Sequence, residues 1–174
     1  FYASTKICNE VMAHSYSYIY KLPCTGLRFF TVYGPFGRPD MVLYKFTKAI
    51  HEGKNIDLFN HGNHIRDFTY IDDVVGGIKK LIKKPSKNKI PYEIYNVGSD
   101  NPIHLKEFLK IIENNLLRKA KIILQPQQLG DVHKTHAYMN KLNKIIGYRA
   151  KVNIKQGIKN FVLWYKEYYK IKES

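Results

Sequence analysis

Phe1-Tyr2-Ala3-Ser4-Thr5-Lys6 opens the chain, and Arg28-Phe29-Phe30-Thr31-Val32-Tyr33-Gly34-Pro35-Phe36-Gly37-Arg38-Pro39-Asp40-Met41 follows one helix length later. The stretch from Ser4 to Tyr20 contains no helix breaker, and Pro23 lies just beyond it, so the first string reads as the start of a helix. Tyr2 and Lys6 then share one helical face. The second string overlaps the strand candidate Gly26 to Val32, whose consecutive apolar residues, such as Phe29-Phe30, read as in a buried parallel sheet. It ends in a glycine-proline loop. A helix carrying a phenol and an ammonium, then a buried strand, then such a loop indicates an α/β fold.

The rest of the chain extends that order. Leu43, Phe46 and Ile50 mark a short helix that stops at Gly53. Val74, Val75, Ile78, Leu81 and Ile82 form one face of another, with Asp72 as its expected N-cap. Leu105, Phe108, Leu109, Ile112 and Leu116 form a third stripe, and Ile158, Phe161, Val162, Tyr165 and Tyr169 a fourth. Strands are expected at Thr25 to Val32, Ile56 to Phe59, Asp67 to Ile71, Tyr92 to Val97 and Lys121 to Leu124. Lys83 to Pro91 reads as a polar loop broken by prolines. The expected architecture is the C-terminal part of a Rossmann-type parallel sheet (residues 1–34 and 67–100) plus a small α/β substrate-binding domain (residues 35–66 and 101–174).

Composition narrows the class. The chain has 174 residues, 44% of them hydrophobic and 14% aromatic, which supports a packed globule and excludes disorder. Two cysteines, Cys8 and Cys24, make no disulfide framework and fit a cytoplasmic protein. No apolar run reaches the roughly 20 residues of a membrane-spanning helix. The net charge is +15, but 24 lysines against 5 arginines are scattered over the whole chain. Base readers rely on arginine, so a nucleic-acid partner is not expected. His61/His64 and His133/His136 have the spacing of metal ligands, but nothing nearby completes a set, so no metal is expected.

A Tyr-x-x-x-Lys pattern is weak alone. With 14 tyrosines and 24 lysines in 174 residues, about two matches arise by chance. Tyr44/Lys48 and Tyr168/Lys172 read as such matches. Tyr2/Lys6 gains weight from the strand and loop that follow. A phenol is a poor base at neutral pH. An ammonium beside it favours phenolate, which can take a proton from a sugar hydroxyl.

These motifs resemble the extended short-chain dehydrogenase/reductases and, within them, the UDP-glucuronate 4-epimerases. The resemblance runs almost end to end. It rests on Tyr2 to Lys6, on Gly26 to Pro35, on Gly37-Arg38-Pro39-Asp40-Met41 and on Asn60-His61-Gly62. Arg66-Asp67-Phe68-Thr69-Tyr70-Ile71-Asp72-Asp73, Tyr95-Asn96-Val97-Gly98 and Gly130-Asp131-Val132 extend it, and Gly157 to Tyr168 resembles the C-terminal helix. The Arg66 to Asp73 string is common to many nucleotide-sugar enzymes. The Phe29 to Met41 block is narrower and carries the substrate expectation. Phe36 stands where that family usually has Trp, and residues around Asn63-His64-Ile65 vary.

The resemblance implies an NAD-dependent isomerase of a UDP-uronic acid, serving cell-surface polysaccharide supply. It implies Tyr2 and Lys6 as catalytic and cofactor-binding residues, with the Phe30 backbone against the nicotinamide. Thr31 would face the sugar carboxylate, and Arg38, in the loop with Pro39 and Met41, would approach it. Arg66 would hold the diphosphate, Asp57 and Phe59 would border the uracil, and Gln128 and Asp131 would close over the nucleotide. The structural alternative for Arg66 is a salt bridge to Asp67 or Asp72. The implied reaction is oxidation at C4, rotation of the 4-keto sugar, and hydride return to the opposite face. A 4-keto uronate is a β-keto acid, so Thr31 and Arg38 are expected to hold its carboxylate out of the alignment that favours loss of carbon dioxide. The same motifs leave open another nucleotide-sugar epimerase, a dehydratase, a uronate decarboxylase or an inactive binding module. A Tyr/Lys pair this early places the start in mid-fold, with the glycine-rich phosphate loop expected upstream and the 174 residues alone expected not to turn over. A homodimer is expected too, with Tyr16, Tyr18 and Ile19 on the face of the first helix.

Overall fold

The computed structural model describes residues 1–171. Helices and strands alternate from the first element. They run α1 (Tyr2–Tyr20), β1 (Cys24–Phe29), β2 (Thr31–Tyr33), α2 (Val42–Glu52), β3 (Asn55–Leu58), β4 (Ile65–Arg66) and β5 (Phe68–Tyr70). Then come α3 (Ile71–Leu81), β6 (Tyr92–Val97), β7 (Ile103–His104), α4 (Leu105–Leu116), β8 (Lys121–Leu124), α5 (Asn140–Ile146) and α6 (Ile154–Tyr168). Three strand pairs are parallel: β1 with β6, β2 with β5, and β3 with β8. Parallel neighbours need crossover connections, and α2, α3 and α4 lie within them. The chain is α/β, as its alternating pattern indicates.

The strand expected over Thr25 to Val32 is two strands. Phe30 N–H donates to Val97 O at 3.1 Å, where the β1–β6 ladder ends. Thr31 N–H donates to Asp67 O at 3.2 Å and begins the ladder with β5. The run from Gly26 to Val32 has no regular alternation that marks a change of partner, so periodicity merges the two. Nor is β1 buried on both faces, as the run suggested: Thr25, Arg28 and Phe29 are exposed, with Arg28 turned to Glu10 of α1. Phe59, expected to end a strand, opens a short 3₁₀ turn. The short elements β4, β7 and α5 escaped the pattern because each offers too few residues for a period.

The four helices read from apolar stripes are α2, α3, α4 and α6. α2 stops where Gly53 turns left-handed at φ 67°. Asp72 is not an N-cap: Tyr70 holds that position without a side-chain bond, and Asp72 and Asp73 lie in the first turn of α3. Negative charge there still complements the helix dipole. Asp73 Oδ2 also accepts from the backbone N–H groups of Lys151 (3.1 Å) and Val152 (3.0 Å), which ties the approach to α6 onto α3.

Apolar burial forms two cores. The larger joins α2, α4 and α6 to β2, β3 and β5 and includes Phe46, Leu58, Phe108 and Phe161. Within it the Phe68 and Phe108 rings stack at 4.0 Å, a pairing that contributes about 1 kcal/mol beyond burial. α6 reaches β2 through Gly157, where an added Cβ would lie 2.1 Å from Tyr33 Oη. The smaller core joins Val74, Tyr95 and Val97 to Ala137, Leu142 and Tyr148. Residues 137–148 thus pack on α3 and β6. The first helix is different: only Ser17 of α1 is buried. It is held by a forked pair, with Arg28 Nε and Nη2 each 2.7 Å from a Glu10 carboxylate oxygen. Tyr92 Oη adds a bond to Glu10 O at 3.0 Å. Among the described residues no helix is long and apolar enough to cross a membrane.

Candidate active site

A cleft of about 270 Å³ opens between the ends of β2, β3 and β4 and the start of α2. Five residues singled out in the sequence line it: Thr31, Asp57, Phe59, Arg66 and Asp131. Three polar residues that sequence reasoning missed line it too: Asp40, Lys45 and His64. Val42, Phe46, Phe68 and Leu105 complete the wall and join it to the larger core. An apolar wall with a few convergent polar groups is the usual make-up of a small-molecule site.

Arg66 is the best-held charge in the cleft. Its Nη2 donates to Asp131 Oδ1 at 2.8 Å. Its Nη1 donates to the carbonyls of Ile65 and His133, each at 3.0 Å. The guanidinium therefore pairs with Asp131, not with Asp67 or Asp72, the partners open to it from sequence. His64 sits on the other side of the same carboxylate, with Nε2 3.1 Å from Asp131 Oδ2. That contact is not an aligned hydrogen bond, so Nε2 is buried without a partner. Burial pushes the His64 imidazole below its ordinary value, opposed by the charge of Asp131 and aided by Arg66 and His133. Across the cleft, Gln125 Nε2 donates to Asp57 Oδ1 at 2.8 Å, and Gln125 N–H donates to Leu58 O.

Asp67, next to Arg66, holds the surrounding loops. Its carboxylate is fully buried. Oδ1 accepts from Ser99 N–H and Ser99 Oγ, both at 2.8 Å. Oδ2 accepts from the N–H groups of Asp100 (3.1 Å) and Ala137 (3.0 Å). Its carbonyl takes the Thr31 N–H. The buried carboxylate thereby joins its own strand connection to the loop after β6 and the segment before α5, while the carbonyl of the same residue holds the start of β2. Its sequence neighbours marked it only as part of a string, because its donors come from distant residues.

The loop between β2 and α2 borders a second, narrow cavity of about 30 Å³, lined by Thr31, Gly34, Arg38 and Met41 among others. Thr31 lines both cavities. Arg38 is exposed and forks onto Asp40, with Nε 3.0 Å from Oδ1 and Nη2 in close contact with Oδ2. That bond holds the Asp40 carboxyl below the ordinary range and the guanidinium above its own. Phe36 holds the loop from outside, its ring 5.1 Å from Trp164 of α6. Pro39 and Gln128 are exposed, and neither lines the cleft.

At the N-terminus of α1, Lys6 Nζ lies 5.0 Å from the centroid of the Tyr2 ring. Both side chains are exposed, Tyr2 at 75%. Phe30 is half-buried at the strand break and packs on the smaller core. Among the described residues no group of three or more His, Cys, Asp or Glu gathers as metal ligands.

The profile of the NAD dependent epimerase/dehydratase family matches residues 1–98. The chain belongs to that family. It is 50% identical to Protein CapI of Staphylococcus aureus, over 97% of this chain and 55% of that protein. It is 41% identical to a probable UDP-glucuronate 4-epimerase of Rhizobium meliloti, over 97% of this chain and 54% of that one. The UDP-glucuronic acid 4-epimerase of Bacillus cereus, crystallised with UDP-glucuronic acid and NAD, superposes with a TM-score of 0.89 at 29% identity. That match covers 97% of this chain and 53% of the other. The chain thus spans about half the length of the relatives it matches.

Proposed function

We propose that the protein interconverts UDP-glucuronate and UDP-galacturonate by NAD-dependent epimerisation at C4. The observation that carries this reading is the cleft itself. Thr31 and Arg66 line one cavity, and the Thr31 N–H bond to Asp67 O holds their strands in register. One cavity thus offers a hydroxyl that would meet the sugar carboxylate and a guanidinium that would meet the diphosphate, in a chain whose relatives include UDP-glucuronate 4-epimerases. Tyr2 and Lys6 present an exposed phenol and ammonium on one helical turn, free of ion pairs among the described residues, and these donors suit the ribose hydroxyls of a nicotinamide nucleotide. With the Phe30 backbone they would hold that end of NAD, which supplies a hydride acceptor that later returns the hydride.

The remaining steps belong to the chain's own side chains. Tyr2 takes the proton of the C4 hydroxyl and gives it back after the sugar turns over. Lys6, one turn away, places its ammonium beside the Tyr2 ring and would donate to the ribose of the cofactor. Arg66 holds the diphosphate, for which its planar fork is well shaped. Phe59 offers an apolar face and Asp57 an acceptor to the uracil, while Gln128 and Asp131 lie over the nucleotide. Thr31 binds the C6 carboxylate, and Arg38 joins it after leaving Asp40, with Pro39 and Met41 shaping the loop. Held so, the carboxylate stays out of line with the C4 carbonyl and is retained. We place residues 1–34 and 67–100 in the cofactor-binding part and 35–66 and 101–174 in the substrate-binding part. The exposed Tyr16, Tyr18 and Ile19 of α1 fit a homodimer interface, and the setting is the cytoplasm.

The test is proton NMR of UDP-glucuronate with NAD and the protein expressed from its complete coding sequence. UDP-galacturonate is expected, with the carboxylate retained, and Tyr2→Phe slows its formation by about 10²–10⁴-fold. Thr31→Ala is expected to release more 4-keto pentose. Another product, or none, rejects the assignment.

A further inference from the structure

The cleft holds a charge problem that its expected residues leave open. Two cations, Lys45 and Arg66, face three carboxylates, Asp40, Asp57 and Asp131. A diphosphate diester brings two more negative charges into that lining. Arg66 cannot serve both anions fully, because its Nη2 already pairs with Asp131 Oδ1 at 2.8 Å. The residue placed to compensate is His64. It is 3% exposed, lines the cleft, and carries a ring nitrogen buried without a partner. That nitrogen lies 3.1 Å from the free oxygen of the same Asp131 carboxylate. We propose that His64 is a positioning residue for nucleotide binding: it takes up a proton as the diphosphate displaces Asp131 from Arg66, and the imidazolium then holds Asp131 aside. This rests on the reading of the cleft as a UDP-sugar site.

The surroundings of the imidazole give the direction. Arg66 lies two residues along on β4, and Asp131 and His133 face it from the loop before α5. His104 stands across the β4–β7 ladder, opposite Ile65, and Lys106 of α4 is turned to Asn63. In the free protein burial outweighs Asp131 and keeps His64 neutral near pH 7. Two added phosphate charges favour the protonated ring. A proton bound more tightly in the complex makes ligand affinity rise as pH falls. The backbone at His64 is held in place, with His64 O accepting from the Leu105 N–H at 2.9 Å.

The experiment measures UDP-glucuronate affinity by calorimetry between pH 5.5 and 7.5. It uses the complete protein carrying Tyr2→Phe, so that no turnover intervenes. Both phosphates of this ligand are esterified and its carboxyl titrates far lower, so the ligand exchanges no proton in that window. Affinity is expected to rise about five- to tenfold from pH 7.5 to 5.5, the effect of an opposite charge within ~4–6 Å of an imidazole. Buffers of different ionisation enthalpy should report proton uptake on binding. His64→Met and His64→Gln should still bind near pH 7.5 but lose the rise. As a check independent of variant folding, the His64 ring resonance should titrate at higher pH with ligand than without. Binding that is flat with pH, or a rise that survives both substitutions, overturns the role of His64 and leaves the site standing. Absence of binding at every pH overturns the site and the proposal together.

Discussion

Replacing Asp67 with Asn should cost about 2–4 kcal/mol of folding stability, and the number follows from its four donors. The carboxylate accepts Ser99 N–H and Ser99 Oγ on one oxygen, and the N–H groups of Asp100 and Ala137 on the other. An amide of the same shape must turn an NH₂ toward one of these pairs. Facing Asp100 and Ala137 it would oppose two fixed N–H groups. The better orientation faces Ser99, whose hydroxyl can rotate to accept, so one backbone N–H is left unpaired in the interior. Losing one charge-assisted bond costs about 1.5–3 kcal/mol, and the three that remain weaken with the charge gone. Asp67→Ala strands three backbone donors and should cost more, about 3–5 kcal/mol. Urea unfolding, followed by circular dichroism and by the single tryptophan, Trp164, measures both. With a slope of about 2–3 kcal/mol per M, Asp67→Asn should lower the midpoint by about 1 M. A midpoint within about 0.2 M of the parent protein would refute the view that this carboxylate holds three segments together.

Gly157→Ala should separate α6 from β2, since its Cβ would lie 2.1 Å from Tyr33 Oη and 2.7 Å from two ring carbons. A loss of about 1–3 kcal/mol in the same urea assay is expected, and an unchanged midpoint rejects the close approach as a constraint. Arg66→Lys keeps the charge but not the fork that reaches Asp131 and two carbonyls. It should weaken UDP-glucuronate binding about tenfold in calorimetry, and equal affinity argues against Arg66 as the diphosphate anchor. The Arg28 hydrogen bond lowers the Glu10 carboxyl below its ordinary 4.5. A depressed folded value means the pair stabilises above the unfolded value and loses that contribution as pH falls through the folded one. Glu10→Gln should therefore narrow the stability gap between pH 7 and pH 3, by a small amount because the pair is exposed. A gap as wide as in the parent assigns acid sensitivity elsewhere.

The helix stripes and the α/β class were legible before folding because they are written in local spacing, and the family because it is written in short residue strings. Residues three and four apart share a helical face whatever lies across from it, and so α2, α3, α4 and α6 were legible from Leu43 to Tyr165. Thr31, Arg66 and Asp131 were legible as site candidates from the strings that contain them. Which residues meet across the fold was not legible in those spacings. The break at Phe30 depends on two acceptors, Val97 and Asp67, that lie far along the chain. Arg66 faces Asp131 and not its neighbour Asp67, because Asp67 turns inward to four N–H and O–H donors. The one local signal of His64, its spacing from His61, points to a metal and not to this cleft. The fold brings the Asp131 carboxylate to 3.1 Å from its ring, and a buried ring nitrogen gains meaning only from the charges folded around it.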